Sequence, residues 1–72
     1  MKFEFTAHAR RRCRERNVRY RDVRAVIENP ARTAVSPSGA IEVRKKIKDK
    51  TLIVVFEVQR EIRKVITAYY ED

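Results

Sequence analysis

The stretch Phe5-Thr6-Ala7-His8-Ala9-Arg10-Arg11-Arg12-Cys13-Arg14-Glu15-Arg16-Asn17 holds five arginines and the only histidine of the chain. Its pattern predicts a short helix with a signal at each end. The Thr6 hydroxyl is placed to accept from a free backbone N–H of the first turn. Phe5 stands where an apolar residue staples onto that turn. Ala9 and Cys13, four residues apart, give the helix an apolar stripe. Asn17 tolerates left-handed backbone and stops it. The helix is therefore expected from Ala7 to Arg16. At about 100° per residue, His8, Arg12 and Arg16 fall on one shoulder of the stripe. Arg10, Arg11 and Arg14 point away into solvent.

Outward from this stretch, Lys2 to Phe5 alternates and reads as a short strand or an extended lead-in. Val18 is a core residue between two helices. The second helix is expected from Tyr20 to Glu28, with Val23, Val26 and Ile27 in the i, i+3, i+4 pattern and Asn29-Pro30 as its stop. Thr33 to Val35 is a candidate strand, and Ser36 to Gly39 a turn. From Ile41 the period is two: Ile41, Val43, Lys45 and Ile47 on one face, Glu42, Arg44, Lys46 and Lys48 on the other. Asp49-Lys50 is the expected hairpin turn. Leu52 to Phe56 is continuously apolar and predicts a central strand. After a turn at Gln59 to Glu61, Ile62 to Tyr69 predicts a last strand with Val65, Thr67 and Tyr69 on one face. This order predicts one α+β domain over residues 1–72: two N-terminal helices packed on a three- to four-stranded antiparallel sheet.

The net charge is +8 with a pI near 10.3, over 72 residues. Between Arg10 and Arg24 eight arginines stand against Glu15 and Asp22 alone. Such a surface favours a polyanion: RNA, DNA, an acidic protein or an anionic membrane surface. One cysteine makes no internal disulfide. No apolar run approaches the roughly 20 residues of a membrane span, and the first residues do not read as a signal peptide, so a cytoplasmic protein is expected. The sequence shows no clustered metal ligands, and a single Gly excludes a glycine-rich phosphate loop.

Five residue types carry the candidate chemistry. The guanidinium fork matches phosphate oxygens, which makes Arg10, Arg11, Arg12, Arg14 and strand residue Arg44 candidate phosphate contacts. A solvated helix face would look the same, since Arg is a good helix former. His8 is the natural acid or base near neutral pH, though a capping role suits it equally. Lys46, Thr67 and Tyr69 stand in strands, where each also has a bland reading. Cys13 lies on the apolar stripe and reads as core.

Phe5-Thr6, His8-Ala9, Arg12 and Glu15-Arg16, then Val18, Asp22-Val23, Val26-Ile27, Asn29-Pro30, Val54-Val55 and Val65-Ile66-Thr67 with Tyr69, resemble the domain of unknown function 4258 family over nearly the whole chain. That family is similar in pattern to the RelE, ParE and BrnT toxins. The resemblance implies a RelE/barnase-like topology and a metal-independent ribonuclease or toxin module that needs no cofactor. His8, Arg16 and Thr67 match its motifs. The family often has Gly where this chain has Asn17, and Ser or Thr where it has Arg19. In the ribonuclease reading, His8 takes the 2′-hydroxyl proton, Arg16, Arg12 and Lys46 stabilise the phosphorane-like transition state, and Thr67 orients a phosphate oxygen. An acidic antitoxin would then cover the basic surface. Two alternatives stay open. One is a nucleic-acid-binding regulator without catalysis, with Tyr20, Tyr69 and Tyr70 stacking bases. The other is a ParE-like toxin whose target is a protein.

Overall fold

The computed structural model describes residues 2–71. The chain runs β1 (Lys2–Phe5), α1 (Ala7–Glu15), α2 (Tyr20–Glu28), β2 (Arg32–Val35), β3 (Ile41–Ile47), β4 (Lys50–Gln59) and β5 (Ile62–Glu71). The five strands form one sheet in the order β1-β5-β4-β3-β2.

α1 starts where Thr6 caps it, with the hydroxyl accepting from the Ala9 amide at 2.9 Å. It ends one residue earlier than expected, at Glu15, with Arg16 as the C-cap. Asn17 adopts φ 55. The Val18 amide then donates to the Cys13 carbonyl and the Asn17 amide to the Arg14 carbonyl, the paired bonds of a Schellman stop. Phe5 stacks on Tyr20, with ring centroids 4.2 Å apart, and so pins the start of α1 to α2. α2 spans the residues its periodicity predicts.

Both helices lie on one face of the sheet. Ala9 and Cys13 of α1, and Val23, Val26 and Ile27 of α2, close over Val43, Leu52, Val54, Phe56, Val65 and Ala68. β4 is the central strand, as its apolar run predicts. Ile53, also fully buried, points to the opposite face, which no helix covers.

The sheet corrects the expected fold. It has five strands and is mixed, because β1 pairs parallel with β5, Lys2 to Ile62 through Phe5 to Val65. Two helices on a three- to four-stranded antiparallel sheet, and with it the RelE/barnase-like topology, is not the architecture. The direction of β1 has a physical reason. The chain must leave β1 beside Val65, so that α1 can continue along β5 and cover Val65 and Ala68. An antiparallel β1 would release it beside Ile62, at the wrong end. The other three pairings are antiparallel.

Two local expectations also change. The β3–β4 hairpin turns on Lys48-Asp49, closed by the Ile47–Lys50 pair, one residue before the expected Asp49-Lys50. In β5 the register slips: Phe56 pairs with Val65 but Val55 with Thr67, leaving Ile66 without a partner. This bulge puts Val65 on the helix face and Thr67 and Tyr69 on the open one, so the three do not share a face.

Candidate nucleic-acid interface

Cross-strand register arranges the open face in rows. Arg44, Ile53 and Tyr69 lie side by side on β3, β4 and β5. Glu42, Val55 and Thr67 form the next row, and Lys46, Thr51 and Glu71 the row on the other side. The central row sets an arginine and an aromatic ring on either side of an apolar residue. The Tyr69 ring lies half-exposed beside the buried Ile53.

Arg16 reaches this row from α1. Beyond Val65 β1 has ended, and among the described residues no strand flanks residues 66–71 on their outer side. The Arg16 guanidinium crosses that edge. It donates to the Ala68 carbonyl at 3.0 Å and sits 5.8 Å from the Tyr69 ring centroid, within cation–π range. Its approach to the Thr67 hydroxyl is 3.5 Å, at the outer limit of a hydrogen bond, so the carbonyl is its anchor. A guanidinium has five N–H donors, and these contacts leave most of them free for an incoming oxyanion.

Arg44 stands at the other end of the row, about 10 Å from Tyr69 by strand spacing. It donates to Glu42 at 2.8 Å and to Glu71 at 3.4 Å. The Glu42 bond first, with Glu71 and Tyr69 adding, holds its charge above the usual guanidinium range against some desolvation. Exposed pairs of this kind are screened by solvent and hold their partners weakly, so a phosphate can compete for Arg44.

The remaining candidates stand apart. His8 is exposed on the first turn of α1, eight residues from Arg16 and so about 12 Å away along the helix. Arg12 is engaged with Glu15 at 3.4 Å. Lys46 is exposed two strands and four residues from Thr67, about 16 Å by strand spacing and rise. Arg10, Arg11 and Arg14 face solvent. Of the proposed catalytic set the fold thus joins Arg16 to Thr67 and leaves His8 and Lys46 elsewhere. Of the three tyrosines, Tyr69 alone is on this face; Tyr20 is taken by Phe5 and Tyr70 faces the helices.

Sequence reasoning missed the Ile66 bulge and the open Ala68 carbonyl. Val65-Ile66, two consecutive apolar β-branched residues, was the available signal. Among the described residues no three metal-ligating side chains cluster, and no helix is long and apolar enough to cross a membrane. No curated protein and no solved structure matches the chain. The profile described as Domain of unknown function (DUF4258) matches residues 5–70, and the chain therefore belongs to that family.

Proposed function

We propose that the protein binds single-stranded RNA across the open face of its sheet, with a base stacked on Tyr69 and the adjoining phosphates held by Arg16 and Arg44. The observation that carries this reading is the Arg16 guanidinium placed 5.8 Å from an aromatic ring that no helix covers. Cation beside ring is the combination that single-strand binders use, because every base has a π-face and every linkage a negative charge. The net charge of +8 supplies the long-range attraction.

Cleavage of the bound strand is the second reading. In its favour, Arg16 lies beside the Thr67 hydroxyl, a pair suited to holding a phosphate through its transition state. Against it, the group expected to take the 2′-hydroxyl proton, His8, is two turns away along α1. Between these two RNA readings, a toxin role and an acidic antitoxin partner go with cleavage alone.

A titration against labelled single-stranded RNA in EDTA, at low and physiological salt, tests both. Binding should weaken with a log–log salt slope of about −0.7 per phosphate contacted. Tyr69→Ala should lose about 1–3 kcal/mol of affinity, the worth of one stacked base. Tyr69→Ala binding as tightly as the unaltered protein would sink the open-face reading. Gel analysis of the same samples reads cleavage: products that persist in EDTA and vanish in His8→Ala would establish the second reading, and intact RNA would remove it.

A further inference from the structure

A cleft of about 270 Å3 opens on the helix side of the sheet, between the β3–β4 turn and the residues joining α1 to α2. Arg19 and Arg21 line one side, Lys48 and Lys50 the other, and Tyr70 lies with them. Asp22 and Asp49 also line it, so four cations meet two carboxylates. Among the described residues none of these six charged side chains forms an ion pair. A phosphate entering the cleft therefore displaces no carboxylate from these cations, whereas at Arg44 it competes with Glu42 and Glu71. At about 30 Å3 per water the volume corresponds to about nine waters, room for a phosphodiester group.

The Tyr70 hydroxyl reports the electrostatics of this space. Burial raises its pKa, Asp22 pushes the same way, and Arg19 opposes both. The phenol therefore feels charges of both signs from the cleft wall.

Position ties the cleft to the open face. Tyr69 and Tyr70 are neighbours on β5 and point to opposite faces. The platform and the cleft stand back to back across that one strand, around the edge that Arg16 crosses. Asn17, next to Arg16, lines the cleft. A strand stacked on Tyr69 thus has a basic path past Arg16, around the outer side of β5, to Arg19 and Lys50.

The geometry points to this cleft as a phosphodiester subsite, taking the RNA backbone that flanks the nucleotide stacked on Tyr69. It rests on the RNA reading of the open face and extends the bound length from one face to two.

The test compares a three-nucleotide with a ten-nucleotide oligouridylate, by fluorescence anisotropy in EDTA at low salt. Three nucleotides cover the Tyr69 platform; ten reach round the edge. Arg19→Gln with Lys50→Gln should leave the short oligomer within about twofold and weaken the long one about tenfold, the scale of losing one or two phosphate contacts. Arg21→Gln with Lys48→Gln should do the same. All four side chains belong to exposed residues, so folding is not at stake, and a thermal melt checks it. Lys2→Gln with Arg60→Gln removes equal charge at the far end of the sheet and should weaken both lengths alike by a small factor. If both cleft variants hold the long oligomer as tightly as the unaltered protein, or lose both lengths in step with the far-end variant, the subsite is overturned and the open-face reading stands. If the unaltered protein binds neither length, the open-face reading fails and the subsite with it.

Discussion

The Arg16 side chain answers a structural need before it meets any ligand. The Ala68 carbonyl that it bonds belongs to the part of β5 beyond Val65, which no strand flanks on its outer side among the described residues. A charged donor to such a group contributes about 1.5–3 kcal/mol when sheltered, and a cation–π contact at an exposed site about 0.5–1. Arg16 is exposed overall, so the lower figures apply. Arg16→Ala should cost about 1–2 kcal/mol of stability, measured as a shift in urea midpoint. Arg16→Lys keeps the charge but loses the planar fork that bonds the carbonyl while covering the ring, and should recover less than half of the loss. Full recovery by Lys would mean that charge alone matters there and that the carbonyl bond contributes nothing. Because Arg16 serves the fold and, in the proposed function, also the interface, the RNA affinity of its variants is interpretable only beside this stability measurement. Tyr69 is the cleaner probe of binding.

At the scale of elements, both hairpins that flank β4 turn in the same way. Lys48-Asp49 and Arg60-Glu61 are two-residue turns, each with a basic residue first and in left-handed backbone, φ 61 and φ 59. Primed hairpin turns require that conformation, and Gly adopts it freely. A residue with a Cβ there costs about 1–2 kcal/mol, part of which Gly would return through greater freedom of its unfolded chain. Lys48→Gly and Arg60→Gly should each stabilise by about 0.5–1 kcal/mol. They sit at opposite ends of a ten-residue strand and should add. At about 4–8 °C per kcal/mol for a domain of this size, the double variant should melt about 4–16 °C higher. A melting point unchanged in both single variants would show that the turns are not strained. These turns also show where the sequence stops being legible. α2 was readable to the residue, because Val23, Val26 and Ile27 state a period and Asn29-Pro30 states an end. β4 was readable as the centre, because only a strand buried on both faces uses Leu52 to Phe56 in that way. The partner of β1 was not, since four residues carry too little pattern to specify a pairing with β5 some sixty positions later. Arg16 and Thr67 were legible as residue types suited to phosphate. Their meeting depends on the bulge at Ile66, a one-residue slip that inverts the face of everything after it, and its one local sign, the consecutive Val65-Ile66, equally fits a strand buried on both faces.

For the whole molecule, a chain of 72 residues has a small margin of stability, and single ionisations can spend a visible part of it. Cys13 is 1% exposed in the contact between α1 and the sheet. Burial raises its pKa, with Arg16 opposing only in part. The unfolded thiol ionises near its ordinary value, about 8.5, while the folded one resists. Folded binding of the proton is therefore tighter, and the stability it contributes is complete below that value and lost as pH rises through the folded one. Tyr70, whose pKa is also raised by burial, adds a second loss that begins higher, near the ordinary phenol value of about 10. Between pH 7.5 and about 9.5 the thiol therefore dominates, and the denaturation midpoint should fall. Cys13→Ala loses packing and starts from a lower midpoint, yet has nothing to ionise, so its profile over the same interval should be flat. Parallel profiles for the two proteins would show that the thiol is hydrated in the native state and that the contact between α1 and β5 is looser than its burial implies.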